Sequence, residues 1–203
     1  IGGDFIYRTT NAGLSWVRQL TGTGFKKIYF YNNNIGFCGD EQINRLIKTT
    51  NSGVNWTQIQ GQNGFTDIQF IDSLIGWKSN AFMYDTLRKT IDGGLTWFNS
   101  DVPRNDSIAG GKLSPFGGML YFDVLNKDTL WGTGGIIQYS PLRKKGVLYR
   151  SSNGGLNWQI QIPDTSFGFS NFIFINFVNP KNGWAYFSNF GIHTTTGGDT
   201  TFY

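Results

Sequence analysis

The side chains able to do chemistry are few and scattered. Cys38 and His193 are the only cysteine and the only histidine, and no feature of the sequence brings them together. A Cys–His nucleophile, a disulfide within the chain and a zinc–thiolate cluster therefore have no basis. Flanked by Gly36, Phe37 and Gly39, Cys38 reads as a small core residue on a buried strand. A glycosidase would need two carboxylates held roughly 5 to 9 Å apart. The candidates selected outside the repeated turns described below are Asp40 with Glu41, Asp85, and Asp101 with Asp106. Asp40 and Glu41 are neighbours in one loop and nothing fixes their geometry. With the acids dispersed and the histidine alone, no metal and no cofactor is expected.

Cations are more suggestive, because they recur. Arg8, Lys48, Lys89, Arg150 and His193 each stand one residue before a Ser or Thr that opens a short polar segment. Two readings are open: a basic arc that docks an acidic protein surface, or aliphatic stems that cover apolar surface while their charged heads reach water. A further group, Arg104, Tyr139, Arg143 and Lys144, falls where the spacing of the repeat is interrupted.

That repeat organises the chain. Four segments share the order basic, Ser/Thr, any, Asn/Asp, any, Gly, any, Ser/Thr/Asn, Trp. Their key residues are Thr9, Asn11, Gly13 and Trp16; Thr49, Asn51, Gly53 and Trp56; Thr90, Asp92, Gly94 and Trp97; and Ser151, Asn153, Gly155 and Trp158. A fifth copy after His193 is degenerate, with Thr196 at the carboxamide position and Thr201 at that of tryptophan. The tryptophans are 40, 41 and 61 residues apart, and a period of about 40 to 45 residues is one four-stranded propeller blade. Between the copies lies an apolar alternating segment, a polar turn, and usually a Gly–aromatic pair.

One period thus reads as strand A over Phe65–Asp72, B over Ile75–Ser79, C over Leu87–Ile91 and D over Thr96–Asn99, with the repeated segment as the C–D turn. In that turn Asn or Asp accepts backbone hydrogen bonds, Gly takes a positive φ, the Ser/Thr hydroxyl ties strand C to the turn, and Trp covers the hairpin base. The third-to-fourth interval carries about 20 extra residues, shared between 101–118 and 138–145. Both segments are expected as long loops, where recognition is commonly built.

These turns resemble the Asp-box, or bacterial neuraminidase repeat, of sialidases, sortilin-type receptors, xyloglucanases and the photosystem II assembly-factor family. The aromatic after Gly and the basic residue before each turn look most like the last of these, whose repeats also populate secreted bacterial proteins. The resemblance covers essentially the whole chain. It implies an all-β propeller with blades over 1–20 (partial), 21–60, 61–102, 103–162 (with the insertion) and 163–203, about 4.7 blades of a ring of six to eight. It also implies that the turns lie away from the binding mouth, and that the protein is extracellular or periplasmic. No Phe/Tyr-Arg-Ile-Pro segment of the sialidase kind is present, and Arg8, Arg88 and Arg150 belong to strand C.

Composition agrees with many short strands: 28 Gly, 18 Phe, 9 Tyr and 7 Trp among 203 residues, and a single Glu. The formal charge of +4 is spread along the chain, and its densest run, Arg143-Lys144-Lys145, has no recognition motif beside it, so nucleic acid is not expected as a partner. No apolar run reaches the roughly 18 residues of a membrane span. The expected function is a non-catalytic scaffold or assembly-factor-like module whose insertion and recurring cations meet a protein partner. A carbohydrate-active or glycan-binding propeller, with rings such as Tyr84 or Tyr139 stacking on sugar, is the alternative.

Overall fold

A computed structural model describes residues 4–22, 24–40, 45–80, 85–115, 118–141, 143–163, 172–187 and 190–198. All the regular structure in these residues is β. The first sheet pairs β1 (Phe5–Arg8) with β2 (Val17–Thr21). The second is β3 (Lys27–Phe30), β4 (Gly36–Asp40), β5 (Arg45–Thr49) and β6 (Thr57–Ile59), antiparallel and in sequence order. The third repeats that order with β7 (Asp67–Phe70), β8 (Gly76–Asn80), β9 (Asp85–Thr90) and β10 (Phe98–Asn99). These four strands lie within two residues of the ends read from the sequence.

The fourth sheet comprises β11 (Ser107–Ile108), β12 (Gly111–Leu113), β13 (Tyr121–Val124), β14 (Leu130–Ser140), β15 (Arg143–Ser151) and β16 (Gln159–Gln161). The fifth comprises β17 (Phe174–Phe177), β18 (Gly183–Phe187) and β19 (Phe190–Thr194). Here the expectation of long loops is corrected. The inserted residues build strand: β14 and β15 run on past the blade as one long hairpin, and the β11–β12 hairpin pairs onto β14 through Lys112 with Gln138 and Leu113 with Ile137. An extended hairpin has an edge to satisfy, and the extra residues supply the strand that pairs with it.

The core lies between sheets. Ile6 of the first sheet packs with Phe25, Cys38 and Ile47 beside and within the second. Phe37 and Leu46 of the second pack with Ile68, Phe70 and Trp97 of the third. Trp77 and Leu87 of the third meet Phe122, Leu130, Val147 and Tyr149 of the fourth. Trp131 and Leu148 of the fourth meet Ile175, Phe177, Ala185 and Ile192 of the fifth. The second, third and fourth sheets are thus each buried between neighbours, and β8 and the first half of β14 are buried on both faces. Cys38 belongs to this core, and burial pushes its thiol up to about 12, which makes it inert at neutral pH.

Each repeated turn closes on one hydroxyl. Thr9, Thr49, Thr90 and Ser151 accept the amide N–H of Gly13, Gly53, Gly94 and Gly155 at 2.9 Å, while Asn11, Asn51, Asp92 and Asn153 accept the amide four residues on at 2.9 to 3.0 Å. Two successive left-handed residues shape the turn, as at Ser52 (φ 61) and Gly53 (φ 79). The fifth copy keeps the hydroxyl half, Gly198 N–H to Thr194 Oγ1 at 3.0 Å. Its Thr201 lies outside the described residues. The polar turn expected between strands A and B is a second built turn: Asn32, Asp72, Asn126 and Asn179 each accept the amides two and three residues ahead at 2.7 to 3.0 Å. The two turns touch, since Ser52, Gly93, Gly154 and Gly197 donate to carbonyls of the A–B turn at 2.7 to 3.0 Å.

The Gly–aromatic pair has a steric cause. Gly36, Gly76 and Gly183 face Phe30, Phe70 and Phe177 across the A–B pair, and a Cβ on any of them would lie 2.5 to 2.8 Å from the phenyl ring. In the fourth sheet the positions are Leu130 and Val124, a larger residue matched by a smaller one. Gly76→Ala should therefore destabilise the protein by about 1–3 kcal/mol through overpacking, and Gly76→Leu combined with Phe70→Val should recover part of the loss. Thermal melts of the single and double variants check this, and strictly additive losses would count against the pairing.

Candidate functional site

The recurring cations are used inside the fold. Lys48 lies directly across from Phe37, Lys89 from Trp77, Arg150 from Trp131 and His193 from Trp184. The first three hold their cationic groups 5.7, 4.9 and 5.7 Å from those ring centres, and His193 stacks on Trp184 at 4.7 Å. From there the heads reach the next sheet's turn. Lys48 Nζ donates to Gly93 O at 2.7 Å and Lys89 Nζ to Gly154 O at 3.2 Å, and the Arg150 guanidinium lies beside Gly197, whose carbonyl accepts from Gln161 Nε2 at 3.0 Å. Burial lowers the pKa of both lysines, against the opposing pull of Asp92 on Lys48 and of Asp128 on Lys89. Neither reading from the sequence anticipated this: the stems do lie between sheets, but the heads of Lys48 and Lys89 end on backbone carbonyls. Arg8, on β1, is half-buried.

A second set of inter-sheet bonds runs along the innermost strands. Tyr29 OH accepts from Phe70 N at 3.0 Å, Gln69 Oε1 from Val124 N at 3.1 Å, and Asp123 Oδ2 from Phe177 N at 2.6 Å. Asp67 joins this set through Ile68 N at 2.9 Å and Phe122 N at 3.3 Å. Burial raises the pKa of Asp67 and of Asp123; backbone N–H bonds oppose it at both, and the Asp123 charge adds to the rise at Asp67. These acids sit on strand A, a position that sequence reasoning passed over because their turnless, apolar setting gave no signal. Of the acids it did select, Asp101 and Asp106 are exposed, Asp40 ends β4 and Asp85 opens β9, and Glu41 lies outside the described residues, as does Tyr84.

Among the described residues the strand extension of the fourth sheet is a built surface that the repeat does not explain. Register places Ser107, Lys112, Gln138 and Lys144 in one row across four strands, and all four are exposed. The opposite face, with Ile108, Leu113, Ile137 and Tyr139, packs on the core shared with the third sheet. Tyr139 is half-buried, and Arg143 covers its ring at 4.9 Å. This is not a free platform for a sugar. Arg104 is exposed on the segment leading into β11. Between the β11–β12 hairpin and Gln138–Tyr139 an open depression of about 470 Å³ runs along the row. Among the described residues no three His, Cys, Asp or Glu side chains gather to hold a metal.

No protein-family model matches the sequence, and no curated protein matches it. Solved structures do. The chain superposes on YCF48 bound to D1 peptide with a TM-score of 0.57 at 17% identity, over 89% of this chain and 54% of that one. It superposes on the GH74 enzyme of Niastella koreensis with a TM-score of 0.66 at 17% identity, over 100% of this chain and 34% of the other. For the GH74 xyloglucanase of Xanthomonas campestris the values are 0.68 and 13%, over 99% and 34%. The fold is that of a β-propeller. Its sheets are blades, β3, β7, β13 and β17 are the innermost strands, and the described residues make an arc of between four and five blades. The chain spans about half the length of the YCF48 match and about a third of the GH74 chains. Among the described residues no helix is long and apolar enough to cross a membrane.

Two outcomes follow from these contacts. Lys89→Met, which keeps the stem over Trp77 and removes the donor to the next blade, should cost about 0.5–1.5 kcal/mol in denaturant unfolding; a neutral result would show that the head contributes nothing to the joint. At Asp67 and Asp123 the folded protein holds its proton more tightly than the unfolded chain, so their contribution is fully present below the unfolded carboxylate value and is lost as pH rises through the raised one. Asp67→Asn keeps an acceptor for Phe122 N–H. Its melting temperature relative to wild type should rise near neutrality, and the gap should close toward about pH 4; a pH-independent difference would refute the assignment.

Proposed function

We propose that the protein is a non-catalytic, scaffold or assembly-factor-like propeller that binds an acidic segment of a protein partner along the strand extension of its fourth blade. The observation that carries this reading is the exposed row of Ser107, Lys112, Gln138 and Lys144 with the depression beside it. Two lysines separated by the amide of Gln138, with the hydroxyl of Ser107 beyond Lys112, suit an extended chain carrying carboxylates, which takes charge-assisted bonds from the cations and neutral ones from the amide and hydroxyl. The row is rigid because the other face of its strands is packed into the core, so little ordering accompanies binding. The likeness to YCF48 bound to D1 peptide supports a peptide-binding role for a propeller of this shape. The repeated turns are, on this reading, Asp-boxes with a structural task, and their resemblance to secreted bacterial proteins supports a place outside the cytoplasm.

The carbohydrate-active reading has its own support in the GH74 matches and in the buried acids Asp67 and Asp123, whose pKa values burial raises. Against it, both carboxylates accept backbone N–H groups of the following blade. A residue committed to holding two blades together is poorly placed to move a proton to a glycosidic oxygen.

A fluorescent Glu-rich peptide provides the test. The double reversal Lys112→Glu/Lys144→Glu should weaken its binding at least ten-fold and flatten the dependence on salt, whereas Lys48→Met, inside a joint, should leave affinity unchanged. Equal affinity for wild type and the double variant would overturn the reading, and reducing-end release from xyloglucan that is abolished by Asp123→Asn would favour the enzyme.

A further inference from the structure

The exposed row on the fourth blade has a spacing as well as a charge. Its members stand side by side on neighbouring strands, Ser107 on β11, Lys112 on β12, Gln138 on β14 and Lys144 on β15, so the row runs across the strands and not along one of them. Hydrogen-bonded strands lie about 4.8 Å apart, which puts Lys112 and Lys144, two strands apart with Gln138 between them, about 9.6 Å from one another at the backbone. Core packing holds this register: Leu113 and Ile137, next in sequence to Lys112 and Gln138, are 1% and 0% exposed, and Ser114 N donates to Ile136 O at 2.8 Å. The depression beside the row is lined by Ala109, Gly110 and Gly111 besides Lys112 and Gln138. A second depression, of about 420 Å³, shares Lys112 and Gln138 with it and adds Ser114 and Pro115. These small neighbours leave room for the backbone of a narrow chain.

We propose that the partner segment is a polyproline II helix that crosses these strands and carries two carboxylates three residues apart. The inference rests on the reading of this surface as a site for an acidic protein segment, and adds that segment's conformation and spacing. Three conformations differ in how often a side chain returns to one face. A β-strand returns one every second residue, so its carboxylates fall at about 6.7 or about 13.4 Å, and neither matches the lysines. A polyproline II helix has three residues per turn and rises about 3.1 Å per residue, so residues i and i+3 share a face at about 9.3 Å, which does match. An α-helix comes near only at i and i+7, about 10.5 Å, and its backbone groups are bonded to one another. Gln138 decides between the last two. Midway between the lysines it presents a carboxamide, donor and acceptor together, which pairs with the unbonded C=O and N–H of a polyproline II backbone and finds none free along a helix. Proline holds such a segment extended before it binds, so little freedom is lost on docking.

Fluorescence anisotropy with three capped peptides of equal length and charge tests this: two glutamates separated by one alanine, by two prolines, or by six alanines in a helix-forming frame. The peptide carrying Glu-Pro-Pro-Glu should bind about five-fold tighter than either of the others. Gln138→Ala should weaken it about three-fold and leave the helical peptide unchanged. Equal affinity for all three, with Lys112→Glu/Lys144→Glu still weakening each, would overturn the proposal and leave the acidic-segment reading standing, as would tightest binding of the helical peptide. Failure of all three to bind would overturn both. Polygalacturonate that displaces the labelled Glu-Pro-Pro-Glu peptide at a lower carboxylate concentration than the unlabelled peptide does would also overturn the proposal, assigning the row to an acidic glycan.

Discussion

The joints that follow the second and third blades depend on a single constraint: a ring at the head of strand B, Phe37 or Trp77, is covered by the left-handed turn of the blade that follows. The turn can approach because its two left-handed positions, Gly93 and Gly94 in the third blade, carry no side chain. A Cβ on Gly94 would come 2.7 Å from the ring of Phe37, and one on Gly93 would come 2.8 Å from the carbonyl of Ser73. Bare backbone brought this close exposes carbonyl oxygens to the joint, and such groups need donors once water is gone. Lys48, Lys89, Ser100 and Gln161 supply them from the preceding blade. The cation, the ring and the glycine are thus one device, which is why they recur together in the sequence.

The same device explains the half-buried lysines. A cation removed from water is costly unless it finds ring face and carbonyl together. Here both lie within reach, the ring from its own blade and the carbonyl from the next. The charge remains, with burial lowering its pKa. Each such lysine ties the geometry of one blade to the next, and the backbone amides received by Tyr29, Gln69 and Asp123 do the same nearer the axis. Because joints repeat and each involves only neighbours, the arc gains stability blade by blade.

Much of this architecture was legible in the sequence. Turn chemistry is local: a hydroxyl, a carboxamide and a glycine at fixed offsets satisfy one another whatever lies around them, so Thr49, Asn51 and Gly53 announce their hydrogen bonds directly. Strand ends follow from the turns. What could not be read were contacts between residues one blade apart. The position of Lys48 was visible, but its partner Gly93 becomes apparent only when the blades are stacked. Asp67 and Asp123 were missed for the same reason, since their acceptors' work is on the adjacent strand. The swap of Gly and Phe for Leu130 and Val124 lay in plain sight, yet its meaning required the cross-strand register. The insertion in the fourth blade failed differently: Gly, Pro and Ser residues spell loop, but the long hairpin it accompanies offered an unpaired edge, and pairing overrode local preference.

Where repetition breaks, function has room. Positions bound into the joints cannot change without disturbing two blades, and that holds for the recurring cations as much as for the rings they cover. The extension of the fourth blade carries no such obligation on its outer face. Its inner face, through Ile137 and Tyr139, is anchored to the largest apolar cluster of the described residues, while Lys112, Gln138 and Lys144 stand free of the joint. A rigid base with an unconstrained outer row is the arrangement in which side-chain identity can be chosen for a partner alone, and it occurs here at the one interval where the spacing of the tryptophans departs from the period of a blade.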